Sequence, residues 1–544
     1  MPETILDLYA RYRRDLYDPV FAMMIRGIKV DLDAMIQETA RLRTERDALK
    51  VKLDSLTNGV KLYKVESHMN PAFVALQAEK KQWKLKATEA RKAKDKDAAK
   101  ELSARYKEID AATKSMRADG THKIESYGDG LSNDKIKAFF YKRMKCPRHV
   151  KDGRLTADAA ALLSIKEQRA DLIPIIDTIL DHRHVEKTMQ YVNPEKVDVD
   201  GRLRFSFNVS GTVTDRFSSS ANPRGSGYNI QNVQSDLHHI FLPDENYFFL
   251  SVDASAIEDR LVKVRTKDST MIDLARKKPW EFDAHKHTAA LMFDKDDDEI
   301  TKDERQRAKI VNHARERCME AKTMADGLVK DGYKYTVAEC QTMIDAWDRA
   351  HQPIIDWQHR IRMQIITQSL ERRRLCSSWG RYIDFKYERL EDSLYRDAIS
   401  WLPQHECVML INQYGLVPLW RLIERDKRCS DPAIIDAIRK LIDEEGIDAR
   451  VERYTETGTW RSFLSAQIHD EVLLQCPWDD LDEAYDIMIF LKASLERTRV
   501  YDGVELSVPM EFSAGLRRWA KNVGWKRFPS REEFKAALMQ GLSE

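Results

Sequence analysis

The sequence offers no pairing for its cysteines. The seven, Cys146, Cys318, Cys340, Cys376, Cys407, Cys429 and Cys476, are scattered, with no CxxC pair and no Cys/His spacing of the zinc-binding kind. That argues against a disulfide-stapled scaffold and a zinc module, and predicts reduced, mostly structural thiols. Long apolar runs are missing too. No window approaches the roughly 20 apolar residues of a membrane-spanning helix, and the opening stretch MPETILDLYARYRRDL lacks an apolar signal core. The expectation is a soluble, cytoplasmic protein with no membrane partner. Nor does one sign of charge dominate, because 90 Lys plus Arg face 89 Asp plus Glu. Net charge therefore argues neither for nor against nucleic acid, and the question passes to local clustering. There is no internal repeat, and a length of 544 residues suits roughly three or four domains.

What is present changes character along the chain. Residues 4–57 read as helix, with a turn at Gly27 before IKVDLDAM begins a second one. From about Phe73 to Arg117 the chain is densely charged, free of Gly and Pro, and rich in helix formers. Two readings of that segment stand open: a solvated helical excursion, or a basic arm on a phosphate backbone. Gly-rich punctuation (YGDG) follows near Tyr127, and helical patterns resume to about Val192, so the first two-fifths reads as nearly all helix. At about Asp198 the period changes. GRLRFSFNVSG alternates like a strand, and GTVTDRFSSSANPRGSGYNIQNV reads as a polar loop suited to gripping a polar ligand. Helix returns over about 270–375, then a hairpin-like LCSSWGRYIDF, further helices, and SDPAIIDAIRKLIDEEG with Ser430 and Asp431 at its start and Gly446 past its end. FLSAQIHDEVLLQCP reads as a tight hairpin with its acid at the tip, and VELSVPMEF as one more strand before a last helix.

Three features carry candidate chemistry. The apolar run Tyr247 to Val252 reads as a buried strand ending on Asp253. A carboxylate there is either an N-cap for the next helix or an acid that must be paired, hydrogen-bonded or metal-bound. Asp470 sits at the tip of the later hairpin. If adjacent strand ends bring the two acids together, they must share a proton or bind cations, and two Mg²⁺ ions held there could drive phosphoryl transfer. On the helix that starts near Asp303, with a capping-box pattern at Thr301 and Glu304, Arg305, Lys309 and His313 recur every four residues on one face. Such a stripe is either solvated or turned toward a cleft, where Arg and Lys together would suit a triphosphate.

In this order these segments resemble the family A DNA polymerases, the group of bacterial DNA polymerase I and many phage replicative enzymes. SVDASAIEDR is similar to the family's first catalytic motif, AQIHDEVLLQCP to its HDE motif, RQRAKIVNHARERCM to its nucleotide-binding fingers helix, and TVTDRFSSSANPRGSGYNIQNV to its T-x-T-x-R segment with the downstream Gln-Asn. IRGIKVD, FDAHKHTAALMF and RDAISWLPQ extend the likeness over nearly the whole chain. The resemblance implies an α+β right-hand polymerase, with a largely helical thumb and fingers and a palm built on an antiparallel β-sheet. The parts would be a thumb-like region over 1–197 with a charged insertion at about 74–120, palm over 198–268, fingers over 269–385, and palm again over 386–544 with a helical insertion at about 422–456.

Carried onto this sequence, the resemblance makes Asp253 and Asp470 the ligands of two Mg²⁺ ions, with Mn²⁺ as a substitute and the Ala254 carbonyl as a further ligand. Glu471 would be an accessory acid. Arg305, Lys309 and His285 would hold the triphosphate, His313 would stand on the nucleotide-binding helix, and Glu258 would exclude a 2′-hydroxyl, implying dNTPs. Arg216, Gln231, Asn232, Arg396, Gln404 and His469 would contact primer–template DNA. The chain departs from the family where His313, Arg317-Cys318, Ala254, Ala256 and Ser400 stand, which bears most on the template base. The expectations are template-directed DNA synthesis, of phage or viral type, by a monomer. Because the likeness begins almost at residue 1, proofreading is expected only from a separate exonuclease, and a processivity factor is a further possible partner. The alternatives are a polymerase relative of translesion or RNA-type specificity and an inactive DNA-binding replication factor.

Overall fold

The structure, a computed structural model, describes residue 6 and residues 9–151, 153–330, 333, 335–520 and 522–543. Tyr247–Ala254 is the middle strand of a five-stranded sheet, in the order Phe463–Ile468, Glu471–Pro477, Tyr247–Ala254, Met510–Gly515, Val523–Trp525. Every pairing is antiparallel. The central strand is apolar on both faces because both are covered. Phe248, Phe249, Leu250 and Val252 are at most 1% exposed, and side chains of this kind stabilise the fold by roughly 1.5–3 kcal/mol each. The helix Leu481–Leu495 is buried from Glu483 onward and packs on three of these strands. The α+β class with an antiparallel sheet is as expected from the sequence.

Residues 43–186 form one compact unit, and most of the remaining chain forms the other, which contains the five-stranded sheet. Within the smaller unit, the charged segment is a helical hairpin, Pro71–Lys92 and Lys96–Ala118, capped by Asn70 and Asp95. It rises from a two-stranded ribbon, Tyr63–Met69 with Lys123–Leu131. The ribbon corrects the reading of this region as helix with Gly-rich punctuation. Most ribbon residues are exposed, so no buried face imprints an alternating pattern on the sequence.

Other local corrections have equally concrete causes. Ile28–Val30 is a strand, not the start of a helix, and it pairs with Arg202–Leu203 and Phe241–Leu242, far away in sequence. Gly27 makes the turn into it at φ +63°, where an added Cβ would meet the Leu203 carbonyl oxygen at 2.7 Å. The polar loop contains a strand, Ser218–Ala221, paired with Phe205–Asn208. VELSVPMEF is two strands, because Val504–Leu506 pairs with Arg499–Tyr501 while Met510–Gly515 joins the large sheet. Of the two residues expected at the start of Pro432–Glu445 it is Asp431 that caps it, and Gly446 closes it in the left-handed region at φ +66°, as expected. Among the described residues no helix is long and apolar enough to cross a membrane.

Candidate active site

Asp253 is not a helix cap. It is the seventh residue of the Tyr247–Ala254 strand, and the next helix, Ile257–Arg265, starts at Ala256 in the left-handed conformation with no side-chain cap. Sheet register sets Asp253 opposite Glu471 on one side and Glu511 on the other, so three carboxylates share one level of one face. The outer two are held by hydroxyls: Ser251 Oγ donates to Glu471 at 2.6 Å and Ser255 Oγ to Glu511 at 2.8 Å. Asp470 lies in the turn between Phe463–Ile468 and Glu471–Pro477, after His469 at φ +57°. Its carbonyl accepts from the Ala254 amide at 3.4 Å. Burial, followed by the charges of Glu258 and Glu471, pushes the Asp470 carboxyl up to about 6.

These acids form one wall of a cavity of about 220 Å³, and the helix Lys302–Glu316 forms the opposite wall. Asp253, Asp470 and Glu511 line it from the sheet, and Arg305, Lys309 and His313 line it from the helix, joined by His285. The stripe therefore borders a cleft. The helix is held in that orientation from beneath. Lys263 donates to Asp259 at 2.6 and 2.5 Å, and Asn312 reaches Asp259 at 3.0 Å and Glu316 at 2.9 Å, all four side chains being buried. Burial and the Asp259 charge hold Glu316 well above the usual carboxylate range. Burial raises Asp259 too, but the Lys263 cation outweighs it and keeps that carboxyl ionised.

At the cavity mouth Asp283 caps the helix Ala284–Phe293, accepting from the His285 and Lys286 amides, and takes Arg305 Nε at 2.7 Å. Burial presses His285 down to about 4 and lowers His313 as well. At neutral pH the positive wall is thus Arg305 and Lys309, and His285 is a neutral imidazole whose buried Nδ1 has no hydrogen-bond partner.

An acid wall facing a fixed Arg/Lys wall suits a polyphosphate bridged to cations. Residues 93–399 match the family model described as DNA polymerase family A. This chain belongs to DNA polymerase family A. Its relatives include DNA polymerase I of Aquifex aeolicus (strain VF5), 28% identical over 402 residues, which is 72% of this chain and 59% of that protein. Another is DNA polymerase I of Synechocystis sp., 26% identical over 349 residues, 62% of this chain and 31% of that protein. The chain thus spans 59% or less of the length of these two curated relatives. Among solved structures, the POL domain of Pol1 from M. smegmatis, in complex with DNA primer-template and dNTP, shares the fold with a TM-score of 0.61. The sequences are 17% identical, and the match covers 95% of this chain and 71% of that one.

The residues singled out from the family motifs fall into two groups. Asp253, Ala254, Asp470, His285, Arg305, Lys309 and His313 all line the cavity, and Glu471 pairs with Asp253 at its edge. The others lie outside its lining. Glu258, in the first turn of Ile257–Arg265, is ion-paired with both Arg216 and Arg317. Gln231 is buried and donates to Gln467 at 3.3 Å, while Asn232 is exposed. His469 is exposed on its turn, Gln404 is half-buried on Asp392–Leu410, and Arg396 lines a separate recess, 3.4 Å from Glu320.

Sequence reading missed Glu511, Ser255, Asp259, Asp283 and Lys526, all of which line the cavity. Asp283 carried a usable signal as a capping Asp before AHKHTAALMF. Glu511 and Lys526 carried none, because their place depends on which strands become neighbours. Lys526 follows the edge strand Val523–Trp525 and borders both the main cavity and an adjoining recess that it shares with Asp253 and Glu511.

Among the described residues no group of three or more His, Cys, Asp or Glu side chains is arranged to hold a metal ion. The donors on offer include the Asp253 and Asp470 carboxylates and backbone carbonyls, hard oxygens without thiolate. That set suits Mg²⁺, which binds through one or two carboxylates and completes its shell with water and phosphate oxygens. The Asp470 carboxyl is raised first by burial and then by the charges of Glu258 and Glu471, and a bound cation would favour its ionised form.

Proposed function

We propose that this chain is a DNA-directed DNA polymerase that adds dNTPs to a primer 3′-hydroxyl on a template strand. The observation that carries the reading is the meeting of Asp253 and Asp470 with Arg305 and Lys309 across one cavity. The reaction forms a bond from the primer 3′-oxygen to the α-phosphorus of the incoming nucleotide. It breaks the bond to the β-phosphate, and pyrophosphate leaves. Two divalent cations, Mg²⁺ or Mn²⁺, would be held by Asp253, Asp470 and the Ala254 carbonyl, and when bound would lower the cost of ionising the 3′-hydroxyl and of charge on the leaving group.

The chain's own groups do the rest. Arg305, oriented by Asp283, presents a planar fork to phosphate oxygens. Lys309, one turn on, adds a point charge on the same side, so the negative charge that grows on the departing pyrophosphate meets a prearranged positive wall. His285, neutral at working pH, donates a hydrogen bond without adding charge. Asp283 and the buried Asp259–Lys263–Asn312 network keep this wall from rotating away. Primer–template would be met by Arg216, Asn232, Arg396, Gln404 and His469 through sugar, phosphate and minor-groove acceptors, which vary little with sequence. The bound DNA and dNTP of the M. smegmatis Pol1 POL domain support these partners.

Primer extension with Mg²⁺ and dNTPs tests the reading. Asp253→Asn and Asp470→Asn are each expected to cut extension by more than the roughly 10–100-fold that loss of an outer-shell metal partner costs, with primer–template binding retained. Extension at the wild-type rate by either variant would refute the assignment, and no extension by the wild-type chain would refute the function.

A further inference from the structure

Glu258 is held by two guanidinium groups, and they come from two other parts of the chain. Arg216, from the segment ahead of Ser218–Ala221, donates through Nη2 to Oε1, and Arg317, at the C-cap of Lys302–Glu316, donates through Nη2 to Oε2. The Glu258 side chain is 11% exposed, against 21% for Arg216 and 31% for Arg317. Burial by itself would raise the Glu258 carboxyl, but the two guanidinium charges outweigh it and hold it below its usual range. Its charge in turn reaches Asp470 and His313, so it stands beside the reacting end of the cavity.

We propose that Arg317 is a specificity-determining positioning residue, which locks Glu258 against Arg216 and thereby sets how strongly the chain rejects a ribonucleotide. This rests on the polymerase reading and on Glu258 as the residue beside the incoming sugar. A carboxylate with a free oxygen can swing aside for a 2′-hydroxyl or accept a hydrogen bond from it. A carboxylate with one guanidinium on each oxygen can do neither cheaply, because moving it breaks a charge-assisted pair in a poorly solvated place. The lock also ties the end of the Lys302–Glu316 helix to the first turn of Ile257–Arg265. Sugar selection and the placement of the phosphate-binding wall are thereby coupled through one side chain.

The test is the ratio of rNTP to dNTP incorporation into one primer–template in single-nucleotide reactions, with KM and kcat measured separately for each. Arg317→Ala is expected to raise the ratio about tenfold, the size of one charge-assisted hydrogen bond, mainly through a lower KM for the ribonucleotide. Arg317→Lys keeps the charge but not the fork, so it should raise the ratio less, and it serves if the alanine variant does not fold. In a Glu258→Ala background Arg317→Ala should add nothing further, which a merely structural role for Arg317 would not produce. A wild-type ratio in both Arg317 variants, or an equal rise with and without Glu258, would overturn the proposal. Absence of dNTP addition by the wild-type chain would instead overturn the polymerase reading on which it rests.

Discussion

His351 shows how one buried side chain can set the acid limit of this fold. It ends the helix Val337–Ala350, is 3% exposed, stacks on Trp347 at 4.4 Å, and places Nδ1 3.0 Å from the Trp347 carbonyl. Burial holds it down to about 4. In an unfolded chain the same group takes up a proton near pH 6.5. Between those values the unfolded state binds more protons than the folded one, so stability falls as pH drops from about 6.5 to 4. His285, also pressed to about 4, acts in the same direction. His351→Gln should flatten this decline, keeping on the order of 2 kcal/mol at pH 4.5 that the wild type loses. Urea unfolding at pH 7 and pH 4.5 reads this, and an unchanged difference between the two pH values would exclude His351 as the source.

At the scale of elements, the Pro71–Lys92 and Lys96–Ala118 hairpin is closed on itself. Its helices pack on each other through Phe73, Ala87, Ala99, Ile109 and Thr113. Its ends close on themselves, since Asn70 Nδ2 donates to the Thr121 carbonyl at 2.9 Å and Met69 pairs with Lys123. Part of its charge is neutralised internally, with Asp110 between Lys80 and Lys114. Replacing residues 70–122 by Asn-Gly, a two-residue hairpin turn, should leave a chain that unfolds cooperatively and still extends primers. Circular dichroism should show only the loss of the two helices, and a variant without a cooperative transition would show that the hairpin supports more than itself. That this segment is helical was legible in its composition. That it is two helices on an exposed ribbon was not, because pairing between solvated strands leaves no apolar period behind.

At the scale of the whole molecule, binding should be visible as stability. A nucleotide held by the folded cavity and not by the unfolded chain stabilises by about 2.7 kcal/mol at a hundred times its Kd. A dNTP with Mg²⁺ and no DNA should therefore raise the melting temperature of the wild type in a thermal shift assay. Arg305→Ala, which removes the fork and its bond to Asp283, should lose most of that rise. An equal rise with inorganic phosphate, or none with dNTP, would count against the cavity as a nucleotide site. The sequence by itself determined some local terms: the buried strand at Tyr247 to Val252, the capping box of Thr301 and Glu304, the four-residue stripe of Arg305, Lys309 and His313, and the order of motifs that marks a family A polymerase. These depend on neighbours a few positions away, and so they are written in periodicity and spacing. Only the tertiary structure decided that Asp253 is a strand residue between Glu471 and Glu511, that Asp470 is pushed toward neutrality, and that Arg317 closes on Glu258. Those outcomes follow from sheet register, burial and the charges that folding brings within reach, and segments so far apart in the chain cannot report them before they meet.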